Sequence, residues 1–478
     1  MRESELNRRA FLKGTAWMGA AALAAGGCVS RKIAEMPGTM LGYAAPPLKK
    51  VRVGFVGLGS RGLRAPNRVS LIPGVEVTAL CDIRPERIDM AKKWLAEHGK
   101  PEPKAFTGGE DCWKRMCEWD GVDVIYNVLP WRLHACVAVY AMKQGKHAFV
   151  EVPAAMFVDE CWEIVETAEK TRRHCMQLEN CCYKEITLLE QNLCRQGVLG
   201  ELVHAEGSYL HDLRSYFFRE NQNYKDWRIR WNMEHKGDQY PTHGLGPIAK
   251  CLDINHGDVF ETLVSLGSNQ FGVEEWMREN LPADDPRRNW KVDMGDQNVT
   301  TIRTAKGRVV TVKHNVTNPR PKSETYFIQG TRGTVADFPF RIFLNTDSPK
   351  YAVKKWPDET YIEEQRQKWM HPLWRDAAEV AIKVGGHGGI DFLMDLRWAY
   401  CLQNGLPLDM DVYDLASWCS ICELSERSVR SDGMPQHVPD FTRGGWRTAR
   451  PPDIQTVDLK KIGLSLEGVA SGAGYRGV

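Results

Sequence analysis

A chain of 478 residues with 63 Lys and Arg against 61 Asp and Glu, a formal net charge of +2, has room for two domains with cores of their own. The near-balance of charge argues against a nucleic-acid partner or an anionic membrane surface. Trp, at 16, outnumbers Tyr, at 14; single Trp rings mostly fill cores, and in a carbohydrate site they also stack on sugar faces.

The first 28 residues read as an address. Asn7-Arg8-Arg9-Ala10-Phe11-Leu12-Lys13 resembles a twin-arginine export signal. The alanine-rich apolar stretch 14–25 that follows is too short for a stable transmembrane helix. Gly26-Gly27-Cys28 resembles a lipoprotein cleavage site, with Cys28 acylated, although Ala25 stands where such sites carry Leu. The expectation is export by the twin-arginine route to a periplasmic or membrane-anchored location. Residues 29–48, rich in small residues and Pro, read as a linker. A chain that folds in the reducing cytosol before export keeps its other cysteines as thiols.

Residues 49–182 read as a dinucleotide-binding domain. Val51 to Val56 is an apolar, β-branched strand leading into Gly57-Leu58-Gly59-Ser60-Arg61-Gly62, a match to G-x-G-x-x-G. Gly57 permits the tight turn, Gly59 admits a pyrophosphate to the backbone, and Gly62 lets the following helix pack on the strand. A second strand, Val75 to Cys81, ends at Asp82, which is placed to bind an adenosine ribose diol and favours NAD. Arg84, two residues on, keeps a 2′-phosphate and NADP open. Later strands over Val122 to Val128, His147 to Val150 and Cys175 to Leu178 end at Trp131-Arg132-Leu133-His134, at Glu151-Val152-Pro153 and at Glu179-Asn180. Ligands in such folds lie beyond the carboxyl ends of the strands, so polar residues recurring at those tips point to one site.

From residue 183 to 478 the pattern changes to an α+β domain. Alternating strands over Leu202 to His211, Val299 to Arg303, Val309 to Asn315 and Tyr326 to Gln329 predict an open, mostly antiparallel sheet. The helical stretches 388–404 and 412–429 predict packing elements. Candidate site residues are Tyr209 on the first strand, Arg228 after Trp227, and Tyr240-Pro241-Thr242-His243 before a helix. His is not a preferred helix cap, so His243 is more than a terminator. His387 and Asp391 have the i, i+4 spacing of metal ligands, but the flanking glycines favour a loop near the site. No metal is expected.

The order GLGSRG, CD, PWxxH, EVP, EN resembles the glucose-fructose oxidoreductase superfamily, over about residues 49–450. Most of its oxidoreductases carry Glu-Lys-Pro, with a lysine that assists chemistry at a hydroxyl, where this chain has Glu151-Val152-Pro153. That departure looks like the NAD-dependent glycosidases of glycoside hydrolase family 109, known as α-N-acetylgalactosaminidases. The resemblance implies NAD contacts at Ser60, Arg61, Asp82, Trp131, Arg132, Leu133, His134, Glu151, Val152 and Asn180. It implies substrate contacts at Tyr209, Arg228 and the segment Tyr240 to His243. The family's Arg-Pro-Tyr-Ser stretch reads Arg320-Pro321-Lys322-Ser323 here, which bears on which sugar is taken. The expected reaction is oxidation at C3, C1–C2 elimination, water addition and re-reduction, with NAD unchanged over a cycle. Tyr209 and His243 are the expected acid/base pair, Glu151 lies beside the nicotinamide, and the choice between Tyr209, Tyr240 and His243 for the C2 proton stays open. The alternative is a net NAD(P)-dependent sugar oxidoreductase. Sibling folds suggest a homodimer through the open sheet.

Overall fold

The structure is a computed structural model that describes residues 38–219, 224–345, 354–452 and 454–469. The twin-arginine segment, Cys28 and the first part of the expected linker lie outside the described residues. Among the described residues, no helix is long and apolar enough to cross a membrane.

Strands β1 (Val51–Val56), β2 (Val75–Cys81), β3 (Lys104–Phe106), β4 (Val124–Asn127), β5 (His147–Val150) and β6 (Cys175–Gln177) form a sheet in the order β3-β2-β1-β4-β5-β6. Every pairing is parallel. This is the doubly wound order, whose switch point lies between β1 and β4. The inner strands are apolar throughout because helices cover both faces. Val53, Phe55, Ile125 and Phe149 are fully buried, each stabilising the fold by about 1.5–3 kcal/mol.

The second sheet contains β7 (Leu202–Leu210), β8 (Phe260–Gly267), β9 (Asn298–Thr304), β10 (Val309–Asn315), β11 (Tyr326–Gly330), β12 (Gly333–Ala336), β13 (Arg341–Leu344) and β14 (Gln436–His437), in the order β13-β12-β11-β7-β10-β9-β8-β14. Only β7 and β10 pair in parallel; the remaining pairings are antiparallel. The strands β8, β12 and β13 carry short or weakly alternating patterns, and sequence reading passed over them. One face packs on helices. The other exposes Val264 and Leu266 of β8, Val299 of β9 and Val309 of β10.

Two features tie the halves together. The helix Ile390–Asn404 follows the second sheet in sequence but packs on the parallel one: Trp398 lies against Phe149, with ring centroids 5.0 Å apart, and Asp395 pairs with Arg68 at 2.5 Å. The stretch 38–48, expected as a linker, is a strap laid on the body. The Met40 N–H donates to the Tyr413 hydroxyl at 3.0 Å, and the Tyr43 hydroxyl donates to the Arg172 carbonyl at 2.8 Å. All cysteines of the described residues are free thiols.

Candidate active site

The carboxyl ends of the parallel strands face the end of β7, and a cavity of about 1480 Å³ lies between them. Its floor is the glycine turn. Gly57 has φ +87°, and a Cβ there would meet the Val128 carbonyl oxygen at 2.7 Å. A Cβ on Gly62 would lie 1.9 Å from the Gly57 carbonyl oxygen, so Gly62 closes the turn from behind and does not line the cavity. Gly59 has open space before it, the clearance a phosphate needs to reach the backbone. Asp82 is preset at the tip of β2. Its Oδ2 accepts from Leu58 N–H at 2.7 Å and its Oδ1 from Arg84 N–H at 2.9 Å, and each oxygen keeps a lone pair for a ribose hydroxyl.

Beyond β4, Trp131 donates from Nε1 to the Val152 carbonyl at 3.2 Å. The His134 ring lies 2.7 Å from the Pro153 carbonyl oxygen and 2.5 Å from that of Leu129. Trp131 and His134 thus pin the two loops that form the cavity wall. Burial holds the His134 imidazole below its usual range, which suits a structural ring. Arg132 lies outside the wall: its side chain is 62% exposed and pairs with Glu234. Only its backbone follows the loop.

A charged cluster unforeseen from the sequence sits at the tips of β5 and β6. Arg61 Nε donates to Glu151 at 2.7 Å, and its two terminal nitrogens grip Asp391 at 2.6 and 3.0 Å. Asp391 also accepts from Asn180 Nδ2 at 2.6 Å and faces His387 Nδ1 at 2.9 Å. Burial disfavours the Asp391 carboxylate, but Arg61, His387 and Arg68 outweigh it and hold its pKa well below the usual range. His387 therefore does sit at the cavity, on the glycine loop before the helix Ile390–Asn404, but as a partner of Asp391. These groups fit a dinucleotide. The turn has its clearance, Asp82 is in place, and the buried amide oxygen of Asn180 has no partner among the described residues.

The sugar end is built by close backbone approach. A Cβ on Gly207 of β7 would lie 1.9 Å from the Gly244 carbonyl oxygen, and one on Gly246 would lie 2.9 Å from Glu179 Cγ. The glycines let the helix Thr242–Cys251 lie flush on β7 and reach Glu179. His243, in its first turn, is thereby held over Tyr209. Ring centroids of Tyr209 and His243 are 5.1 Å apart, those of Tyr209 and Tyr240 5.0 Å. His243 Nδ1 lies 2.6 Å from Glu179 Oε1 and Nε2 lies 3.4 Å from the Tyr240 hydroxyl. Burial opposes the imidazolium, but Cys181 and Glu179 beside it win and lift the ring to about 10. Burial pushes the Tyr209 and Tyr240 phenols up as well. All three groups hold their protons at neutral pH.

Arg228 lies over the rings of Trp131 and Tyr240, 4.9 and 4.8 Å from their centroids. Lys322 reaches the cavity and pairs with Glu324 at 3.2 Å. Burial acts against the Glu324 carboxylate, but Lys184 and Lys322 hold it at about 2. Pro241 and Thr242 are buried beneath the wall and do not line it; they shape the turn that delivers His243. Sequence reading missed the roles of Glu179, Glu324 and Asp391. Glu179 stood next to a residue already marked, but its partner is 64 residues away.

A classical dinucleotide sheet joined to an open mixed sheet, with the cavity between them, defines the class: an NAD-binding protein of the oxidoreductase fold. Residues 51–178 match the NAD-binding Rossmann fold of the GFO/IDH/MocA oxidoreductase family. Residues 183–448 match the C-terminal domain of glycosyl hydrolase 109. The chain belongs to glycosyl hydrolase family 109 and is an NAD-dependent glycosidase. It is 45% identical over 412 residues to an α-N-acetylgalactosaminidase of Bacteroides fragilis, covering 85% of this chain and 96% of that one. It is 42% identical to a family 109 protein of Porphyromonas gingivalis, over 85% of this chain and 88% of that one. Among solved structures, levoglucosan dehydrogenase in complex with NADH matches with a TM-score of 0.60 at 17% identity, over 82% of this chain and 99% of that one. Apo scyllo-inositol dehydrogenase from Lactobacillus casei matches at 0.56 and 12% identity, over 82% and 99%. At such identities these structures speak for the fold alone.

Proposed function

We propose that this chain hydrolyses α-N-acetylgalactosaminide-type glycosides by C3 oxidation, C1–C2 elimination, water addition and re-reduction. The observation that carries the reading is the Glu179–His243 pair, an imidazole held with its proton at the sugar end of a dinucleotide cavity. Direct displacement at C1 needs two carboxyl groups, one of them protonated and acting as acid. Glu324 is in the cavity, but at about 2 it has lost its proton at any working pH. His243 is the better acid.

Bound NAD supplies the hydride acceptor and donor for C3. The chain's own residues do the rest. His243 delivers its proton from Nε2 to the departing oxygen, and Glu179 orients the ring through Nδ1. Tyr209 and Tyr240, protonated, donate to sugar hydroxyls. Glu151, paired with Arg61 at 2.7 Å, is the group we assign to take the C3 hydroxyl proton as the hydride leaves, pass it to solvent, and then take the C2 proton. Both protons are returned by the same route on water addition and re-reduction. Trp131 and Arg228 form the flat wall for the sugar, and Lys322 reads a substituent.

The runner-up, a net sugar oxidoreductase, draws support only from the fold. Val152 is buried at the β5 tip and leaves no ammonium there. We further infer export by the twin-arginine route, acylation at Cys28, and a homodimer through the exposed β8–β10 face. Cell fractionation, mass spectrometry of the mature N-terminus and light scattering test these. The main test is a panel of nitrophenyl glycosides with no added nucleotide. Release from the α-N-acetylgalactosaminide supports the reading; net NADH formation from free sugars, without glycoside cleavage, overturns it.

A further inference from the structure

Three donor atoms, one each from Glu179, Cys181 and His243, lie within 4.8 Å of one another. They come from the tip of β6 and the start of the helix Thr242–Cys251. A carboxylate, a thiol and an imidazole together are the donor set of zinc, which binds oxygen and nitrogen at about 2.0–2.2 Å and sulfur at about 2.3 Å. Small side-chain rotations bring such a trio onto one ion. Glu179 Oε1 serves His243 and the Cys181 N–H. Its second oxygen, Oε2, is buried without a partner among the described residues, and Glu179 itself is fully buried. A buried carboxylate oxygen left bare costs free energy, and a cation would satisfy it. Cys181 and His243 both line the cavity, so a fourth position on the ion opens toward the sugar space.

We propose that Glu179, Cys181 and His243 form a reversible binding site for a zinc-class divalent cation, and that occupancy switches the glycosidase off. The metal takes the imidazole lone pair that His243 uses to hold its proton, and it takes the thiol as thiolate, so binding releases protons and bonds form only to the metal. The open fourth position takes water, which stands in the sugar space that Cys181 and His243 line, so the ion and the glycoside compete. The other cluster of this kind, His256, Asp411 and Asp414, is different. Asp411 caps the helix Val412–Arg430 through Tyr413 N–H, and Asp414 accepts from Lys250. Its donors are committed to the fold, and it carries no such role.

The test uses the full chain purified with a chelator, then dialysed against Zn2+ or Co2+ alone. We expect one ion per chain, inhibition that follows occupancy and reverses with chelator, and a sulfur-to-cobalt charge-transfer band in the near ultraviolet. Cys181→Ala should weaken zinc binding by about tenfold or more, read by dialysis and by inhibition relative to that variant's own zinc-free rate, and should abolish the cobalt band. Cys136→Ser, at an exposed thiol, should change neither. Binding without the thiolate band, or zinc inhibition equal in Cys181→Ala and wild type, overturns the proposal. The cobalt spectrum of the unmodified protein decides the matter even if the variant fails to fold, and it does so whether or not the glycosidase reading stands.

Discussion

Glu179 Oε1 and His243 Nδ1 meet at 2.6 Å, one from the tip of the parallel sheet and the other from the helix on the mixed sheet. The pair joins the cofactor half of the cavity to the sugar half. It also fixes which ring nitrogen faces the substrate, since Nδ1 is engaged and Nε2 is left pointing at Tyr240.

The first prediction concerns pH. The folded His243 ring titrates at about 10, above its ordinary value of 6.5, because Cys181 and Glu179 beside it outweigh burial. The pair's contribution to stability is therefore complete below pH 6.5 and is lost as pH rises through about 10. If His243 is the acid, kcat/KM should fall along the same limb. Glu179→Gln should move that limb down by about a unit or more and slow turnover. A lower rate with an unmoved limb would assign Glu179 to packing alone.

The second concerns cofactor retention. Asp391 ties Arg61, Asn180 and His387 into one cluster at the cofactor end. Asp391→Asn removes the charge that holds Arg61. We expect weaker NAD retention by about 1.5–3 kcal/mol, the scale of one charged hydrogen bond, measured by equilibrium dialysis on protein whose folding is verified by its thermal transition. Undiminished retention would show that Arg61 positions Glu151 and not the cofactor.

Asp82→Ala is the third. The carboxylate holds the Leu58 N–H of the glycine turn as well as facing the ribose, so its loss should weaken NAD binding by about 1.5–3 kcal/mol or more. The preference for NAD over NADP should also narrow, because Arg84 then loses its local anion. An unchanged preference would place the ribose elsewhere.

Lys322→Tyr tests the departure from the family pattern. Lys322 lines the cavity and pairs with Glu324. The change should raise activity on α-N-acetylgalactosaminides relative to other glycosides. The same preference before and after, in a glycoside panel, would remove Lys322 from the sugar's surroundings.

Much of this was legible in the chain. The glycine turn, the apolar strands and the polar tips at Asp82, Trp131, Glu151 and Asn180 are local patterns, and each fell where its pattern put it. Tyr209 and His243 were paired through the family resemblance, and no local pattern joins them. What joins them is the backbone contact of Gly207 with Gly244, and nothing local says that one glycine faces the other. Asp391 showed the same limit more sharply. Its i, i+4 neighbour His387 was legible, and the two meet at 2.9 Å, but its other partner, Arg61, lies 330 residues away. Arg132 shows the opposite limit: a residue inside a good motif can still turn its side chain to solvent, here to pair with Glu234.

The most direct measurement is the fate of hydrogen at C2 and C3 of the sugar released in heavy water. The elimination route breaks the C2–H bond and remakes it from a group that exchanges with solvent, here assigned to Glu151. The hydrogen at C3 never becomes a solvent proton on this route. Mass spectrometry and proton resonance should therefore find deuterium at C2 and protium at C3. A product with protium retained at both positions, from an active enzyme, would contradict the account and return the reaction to direct displacement at C1.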